Sequence, residues 1–422
     1  MTPPVSLVDG ADTAPVSRPR IGGPLRPLIW TLGLNGFAQA LVLGASSVLL
    51  GLEAMRFGEA GKVDALALLT TSGAVVSMVV QPFAGALSDR TRSRFGRRVP
   101  WILGGSVLSG LCLLGVGGAT GLGQLVVLWT LFHLAFNFVP GLLHAMIPDR
   151  VPQPLLGTFA AVYGAASLAG GILGAVFAAL LADDVFLAWT SLAGVLVLAA
   201  VLLAVLDRDD STLGDRPEPL TWKHFRSAYW VSPTRYPDFA WAFAGRFLMN
   251  LGYAMTTTYM LYILQDYVGL GESAVGVVPL VGLATLLGMT LTTVLSGPLS
   301  DRVGRRRVFV AAAGAIVAAA TVVPLLSPTL PAIIVFVFCS GLGFGIYQAV
   351  DLAVVTEALP SRAESGAGMG LLNLAVAVPA TIAPLAGSAV VHAFGTYAPI
   401  FLLTLVLSAL SSLSVARIKG VR

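Results

Sequence analysis

Two copies of one arginine-rich loop stand 212 residues apart, each wedged between apolar stretches. The first reads Asp89-Arg-Thr-Arg-Ser-Arg-Phe-Gly-Arg-Arg98; the second, shorter, reads Asp301-Arg-Val-Gly-Arg-Arg-Arg307. The residues that lead into them match as well, Gly85-Ala-Leu-Ser against Gly297-Pro-Leu-Ser. Apolar stretches of about 20 residues cross a bilayer as helices. A charged loop repeated between such stretches therefore predicts an all-α membrane protein made of two similar halves.

The number of crossings follows from the spacing of the polar breaks. Apolar segments run over 27–51, 64–87, 101–119, 125–147, 156–181 and 186–206, and again over 239–264, 273–299, 308–325, 331–358, 366–392 and 397–415. That predicts twelve transmembrane helices in two bundles of six. Charged residues make up only 11% of the chain, against about 25% in soluble domains, so lipid is the solvent for most of the surface. The expected organisation is a polar tail over 1–26, a first bundle over 27–206, a linker over 207–238, a second bundle over 239–416 and a short tail over 417–422. The linker mixes both signs of charge with prolines and aromatics such as Trp222 and Trp230, and part of it suits an amphipathic helix lying on the membrane surface. No short apolar segment with a small-residue cleavage site precedes Pro27, so residues 1–26 read as a tail rather than a signal peptide.

Of the 25 lysines and arginines, 22 fall on one face if the N-terminus is cytoplasmic, and only Arg56 and Lys62 fall on the other. The positive-inside bias then puts both ends and the linker in the cytoplasm of a multi-pass protein of the cell membrane. The net charge of +4 is spread over membrane loops and gives no reason to expect nucleic acid. Cys112 and Cys339 lie inside apolar runs, which argues against a disulfide or a metal site. No His-Glu-x-x-His, Walker loop or Gly-x-Ser-x-Gly occurs, so no enzyme, cofactor or metal is expected. A small molecule, protons and lipid are the expected partners of a monomer.

Charge at membrane depth is costly without a partner or a wet cavity. Arg246 and Asp351 each lie about eight residues in from the basic end of helices 7 and 10, about 12 Å deep at 1.5 Å per residue. Their matched depth predicts a pair, which serves either as a fixed strut or as part of coupling and binding. His133, Asn137 and His144 share one stripe of helix 4, and imidazole titrates near neutral pH; the two histidines are either proton acceptors or interhelical hydrogen bonders. Asn35 and Gln39 share a face of helix 1, and Arg246, Asn250, Tyr253 and Thr257 share one on helix 7. Tyr347 and Gln348 lie a turn before Asp351, and Asn373 sits in helix 11. Amides beside aromatic rings suit a sugar, although each residue alone also reads as glue between helices.

Twelve helices in two repeats, each with Gly-x-Leu-Ser-Asp-Arg…Gly-Arg-Arg after its second helix, resemble the major facilitator superfamily. The longer first loop, with Val80-Gln-Pro-Phe-Ala-Gly85 before it and Val99-Pro-Trp101 after it, is similar to the sucrose/proton symporters and the related glycoside–pentoside–hexuronide symporters. Leu143-His-Ala-Met-Ile-Pro-Asp149 resembles the same group. The resemblance implies alternating access, proton-coupled import of a sugar or glycoside, and a cavity lined by helices 1, 4, 7 and 10. An exporter of drugs or metabolites shares the loop motif and is the alternative, with a non-transporting receptor more remote. In the plant-type symporters helix 4 carries an Asp and an Arg; alignment on Asp149 puts His133 and His144 there, which makes them, with Asp351, the candidates for proton coupling. The paired helix-2 aspartates of the melibiose type have no counterpart between Asp64 and Asp89. The loops, through Gly85, Asp89, Arg90, Gly96 and Arg97 and through Gly297, Asp301, Arg302 and Gly304, are expected to switch conformation, their aspartates capping helices and their arginines pairing across the halves when the inner side is closed.

Overall fold

The computed structural model describes residues 23, 25–58, 61–88, 90–207, 237–303, 305–357 and 365–418. Within them, the side chains at 81, 82, 85, 86, 148, 294, 297, 298, 301, 351–357 and 365–373 lie outside the description. Asp89 and Gly304 lie outside it altogether, as do the linker over 208–236 and residues 1–22 and 419–422 of the tails.

Among the described residues the fold is entirely helical. The first half comprises α1 (Leu25–Met55), α2 (Lys62–Ser88), α3 (Val99–Gly117), α4 (Leu122–Phe136), α5 (Phe138–Arg150), α6 (Leu156–Leu180) and α7 (Val185–Leu206). The second comprises α8 (Pro237–Thr258), α9 (Ala274–Val303), α10 (Arg306–Leu326), α11 (Leu330–Glu357), α12 (Ser365–Phe394) and α13 (Ala398–Ala416). Together α4 and α5 make the fourth crossing. Eleven crossings are long and apolar enough to span a bilayer. The remaining one, α8, has 22 residues, but Arg246, Asn250 and its threonines dilute its apolar character.

Packing repeats with the sequence. In the first half α1 lies on α6, α3 on α7 and α2 on α4; in the second, α8 lies on α12, α10 on α13 and α9 on α11. The halves meet through α2 against α12 and α6 against α9, two contacts that exchange when the halves are interchanged. In lipid the apolar effect does not press helices together, so close backbone approach does. A Cβ on Gly170 or Gly174 of α6 would overlap the carbonyl oxygens of Phe37 and Leu41 on α1. Gly341 and Gly345 of α11 are pressed in the same way on Thr285 and Met289 of α9. Hydroxyls add cross-helix bonds, as where Thr404 and Ser411 of α13 donate to the carbonyls of Gly252 and Gly245 on α8.

Two crossings that the sequence predicts as unbroken are interrupted. The fourth breaks at Asn137, because Pro140 has no N–H to give the Phe136 carbonyl. The Asn137 side chain turns back and donates to the His133 carbonyl at 2.8 Å. The seventh breaks after Thr258 and continues through Met260–Tyr262 into a π-turn at Ile263–Tyr267. Thr256 and Thr257 there bond backward to carbonyls of their own helix, which weakens the regular ladder. Gly269 and Gly271, at φ of 80° and 56°, then reverse the chain.

Candidate functional site

The helices run alternately between two faces. One carries the loops with Arg90–Arg98 and Arg302–Arg307 and is the basic face. The other carries Glu53, Lys62, Asp64, Asp183, Asp184, Asp266 and Glu272 and is the acidic face. The polar contacts described between the halves lie on the acidic side of the molecule. Lys62 Nζ, at the start of α2, is 3.0 Å from Asp266 Oδ1 beyond α8 and 5.1 Å from the centre of the Tyr262 ring. Tyr262 Oη donates to the Gly51 carbonyl at 3.0 Å. Tyr397 Oη donates to the second Asp266 oxygen at 3.0 Å. Burial, with the Asp266 carboxylate beside it, pushes the Tyr397 phenol well above its ordinary range, so it remains a donor. Asp64 receives Ser388 Oγ and faces His392 on α12. Two turns deeper, Thr71 donates to the Thr381 carbonyl at 3.2 Å. Tyr259, buried against Gly387, gives its hydroxyl to the Pro384 carbonyl within the second half. The acidic face is therefore sealed by side chains of both halves.

Beneath the seal lies a cavity of about 380 Å³ walled by α6 and one residue of α1 from the first half and by α8, α9, α10, α11 and α13 from the second. Among the described residues its lining includes eight hydroxyl side chains and no charged one. Thr256, Thr257, Thr285 and Thr404 spend their protons on backbone carbonyls; Ser340 belongs to the lining, but its Oγ is buried and has no hydrogen-bond partner. Tyr253 also belongs to the lining and stacks on Phe344 of α11, centroids 4.1 Å apart and planes at 12°. Aliphatic side chains of Val281, Leu286, Met289 and Val337 make up much of the rest.

Of the described residues in the expected polar stripes, Tyr253 and Thr257 line this cavity. Asn35 is buried in the first bundle and bonds the Thr31 and Ala199 carbonyls, both at 2.8 Å, tying α1 to α7. Gln39 is also buried, one turn further along α1, and its amide atoms have no hydrogen-bond partner. Asn137 donates to Ser77 Oγ of α2 at 2.8 Å, and Ser77 Oγ is 3.1 Å from His133 Nδ1. His133, Asn137 and Ser77 thus form one polar joint between α2 and α4. His144 lies beyond the break, exposed, with its ring against Tyr163 of α6 at 4.7 Å, so the two histidines belong to different surroundings. Asn250 donates to the Arg246 carbonyl of its own helix at 2.8 Å. Tyr347 is 2% exposed and packs on Phe344, whereas Gln348 is exposed. The side chains of Asp351 and Asn373 lie outside the described residues, so the Arg246–Asp351 pair does too.

On the basic face Arg97 and Arg98 both reach one oxygen of Asp149 at the end of α5, the second at 2.6 Å. Arg98 also donates to the Leu142 carbonyl at 3.3 Å, and Ser88 Oγ closes the loop on the Arg97 carbonyl at 3.2 Å. In this conformation, then, these arginines pair within their own half. Gly96 has φ of 80°, which a residue with a Cβ rarely adopts. Arg90 is half-buried and Arg302 exposed; Asp89, Gly304 and the side chain of Asp301 fall outside the described residues, as do those of Gly85 and Gly297. The sequence reading missed the seal. Its one local signal was the run of tyrosines at 253, 259, 262 and 267, spaced to continue past the end of α8.

A sequence profile described as Major Facilitator Superfamily matches residues 28–292 and again 243–419. Curated relatives match only in part. An uncharacterized symporter of Synechocystis, sll1374, is 54% identical over 35 residues, 8% of this chain and 6% of its own. The sucrose transport protein SUC3 of Arabidopsis thaliana is 29% identical over 124 residues, 24% of this chain and 21% of its own. The chain therefore aligns with about a fifth or less of the length of these relatives. Among solved structures, the nucleoside transporter NupG superposes with a TM-score of 0.74 at 12% identity, over 93% of this chain and 99% of that one. A bacterial homologue of the human lysosomal transporter Spinster, inward-facing and occupied, gives 0.68 at 13% identity, over 94% and 96%.

Proposed function

Since this chain belongs to the Major Facilitator Superfamily, and is thus a secondary transporter rather than an enzyme, we propose that it imports an uncharged, hydroxyl-bearing solute, a sugar or glycoside, together with protons. The observation that carries the reading is the cavity between the halves: eight hydroxyl residues, one of them Tyr253, and no charged side chain among the described residues of its lining. A buried charge would have to be neutralised by any ligand it met, so this wall selects for neutral molecules. The Tyr253 ring, held by Phe344 behind it, is placed to take the C–H face of a pyranose. The partial match to a sucrose transport protein supports the same solute class, and that to an uncharacterized symporter supports coupled uptake.

On this reading the basic face is cytoplasmic, by the placement of 22 of the 25 lysines and arginines, and the protein sits in the cell membrane with its linker and both tails inside. The molecule then stands closed to the outside. His133, His144 and Asp351 remain the candidates for carrying the coupled proton, with Arg246 paired to Asp351.

The test is uptake of labelled sucrose, maltose, a phenyl glucoside and a charged glucuronide into proteoliposomes, with and without an inside-alkaline gradient. Gradient-driven accumulation of a neutral compound and none of the glucuronide is the expected result. Accumulation of none of them, or of the charged one alone, overturns the reading. The aliphatic part of the wall favours a second reading, proton-driven export of an apolar metabolite. Efflux of a neutral amphiphile against its gradient, with no uptake of any sugar, would establish it.

A further inference from the structure

The seal contains one imidazole, and its surroundings fix how many protons it holds. His392 Nδ1 is 3.0 Å from the carbonyl oxygen of Ser388, one turn earlier in α12. A carbonyl only accepts, so Nδ1 must carry a hydrogen. Nε2, on the other side of the ring, is 3.3 Å from Asp64 Oδ2 of α2, in the opposite half. With neutral histidine and ionised aspartate, two lone pairs would face each other there. One added proton removes the conflict, either on Nε2 as an imidazolium–carboxylate pair or on Asp64 as a neutral donor to Nε2. The proton belongs to the pair rather than to either residue. The remaining Asp64 oxygen is already met by Ser388 Oγ at 2.5 Å.

Other charged or titratable groups in the seal are accounted for. Lys62, two residues before Asp64 on α2, is turned onto Asp266 and the Tyr262 ring. Tyr397, at the start of α13, gives its proton to Asp266. Tyr259, at the end of α8, gives its own to Pro384. None of these competes with His392 for the added proton near neutral pH.

We propose that Asp64 and His392 form a proton-binding site that fastens the acidic face shut for as long as the proton is held. Both groups are more than half exposed, at 61% and 53% of their side chains, so the proton exchanges directly with water on that face. The sign follows from the geometry. The contact forms with the proton bound and is lost when the proton is released. Acid on the acidic face therefore favours the sealed state and alkali the state open to that side. The proposal rests on the alternating-access reading, but its test reads a distance in the absence of any solute and so stands or falls apart from the transported molecule.

Spin labels at Asp183→Cys and Ser327→Cys place one probe on the acidic face of each half, with Cys112 and Cys339 replaced by serine. Pulsed electron–electron distances in lipid nanodiscs are compared from about pH 5 to about pH 8, either side of the imidazole range. The sealed-to-open ratio is expected to fall by about twofold to fivefold across that interval, the range open to a solvent-exposed ion pair. His392→Gln should lose this response and sit towards the open distance throughout. His392→Lys, charged at both values, should stay sealed at both. A wild-type ratio that ignores pH, or a His392→Gln protein that keeps the wild-type response, overturns the proposal. If the glutamine variant does not fold, a full wild-type response in His392→Lys overturns it equally.

Discussion

His133 and His392 show how the partners of an imidazole decide what a proton does to it. Nδ1 of His133 faces Asn137 Nδ2 at 3.3 Å and Ser77 Oγ at 3.1 Å. The two hydrogens of that amide nitrogen go to the His133 carbonyl and Ser77 Oγ and the Ser77 proton to the Gly73 carbonyl, so Nδ1 is left to donate to Ser77 Oγ and Nε2 to receive a proton. A proton arriving at Nε2 would place a charge in the joint between α2 and α4, which is the kind of change a coupling site needs. His133→Gln is expected to abolish accumulation against a gradient while leaving solute exchange measurable, as read by counterflow in proteoliposomes. Proton-driven accumulation that survives in both His133→Gln and His144→Gln would move the coupling role to Asp351. The proposed pairing of Arg246 with Asp351 would have the larger energetic stake, since removing one member of a buried pair costs roughly 3–5 kcal/mol. Arg246→Gln and Asp351→Asn should each abolish transport. The double neutral variant separates a strut from a coupling site: a strut predicts recovered uptake, a coupling site predicts none, and the second is our expectation.

At the scale of helices, glycine sets the separations. On α6, Gly170 and Gly174 lie four residues apart, so both face α1, and each is held on a carbonyl that has no way to retreat without moving its helix. Gly174→Val should lower the melting temperature in detergent by several degrees and reduce the yield of folded protein. The same change at Gly164, also on α6 but with nothing near its missing Cβ, should be close to neutral. Equal losses at the two sites would remove close packing as the cause. The arginine loop is an element of a different kind. Its Gly96 supplies a backbone turn, and its two arginines converge on Asp149, so the loop and the end of α5 move as one piece whenever the half moves.

For the molecule as a whole, the seal and the cavity beneath it define one state of a cycle. Lys62 is 10% exposed and hydrogen-bonded to Asp266, and a hydrogen bond to a charged group contributes about 1.5–3 kcal/mol. Asp266→Asn should shift the balance toward opening on the acidic face by roughly tenfold or more. The measurement is the labelling rate of Thr285→Cys, a cavity residue under the seal, by a membrane-impermeant maleimide added on that face. A rate no faster than in the parent protein would show that the bridge does not hold the seal. Further into the cycle, Asp89→Asn and Asp301→Asn should each depress the transport rate strongly and leave solute affinity within a few-fold, as measured by initial rates against concentration.

The fold was legible because bilayer thickness and backbone satisfaction leave few options: apolar stretches of spanning length must be helices, and a repeated loop implies a repeated bundle. The motif loop was legible for a similar reason, since Gly96 is demanded by local backbone geometry and needs no distant partner to be recognised. The polar residues inside the helices were less so. Asn35, Asn137 and Asn250 have the chemistry of a binding site, and a helical stripe says which side they share but not what that side meets. The packing decided that Asn35 ties α1 to α7, that Asn137 ties α4 to α2, and that Tyr253 and Thr257 reach the cavity. The partners in the seal were beyond sequence reasoning, even though the tyrosine run marked one of its stretches of chain. Lys62 and Asp266 are 204 positions apart, and Asp64 and His392 are 328, so no local pattern joins them. The sequence by itself determined how many times the chain crosses the membrane, because that depends on free energies local to each segment. Only the tertiary structure decided which face is closed and which side chains close it, because those contacts exist solely when the two halves are set against each other.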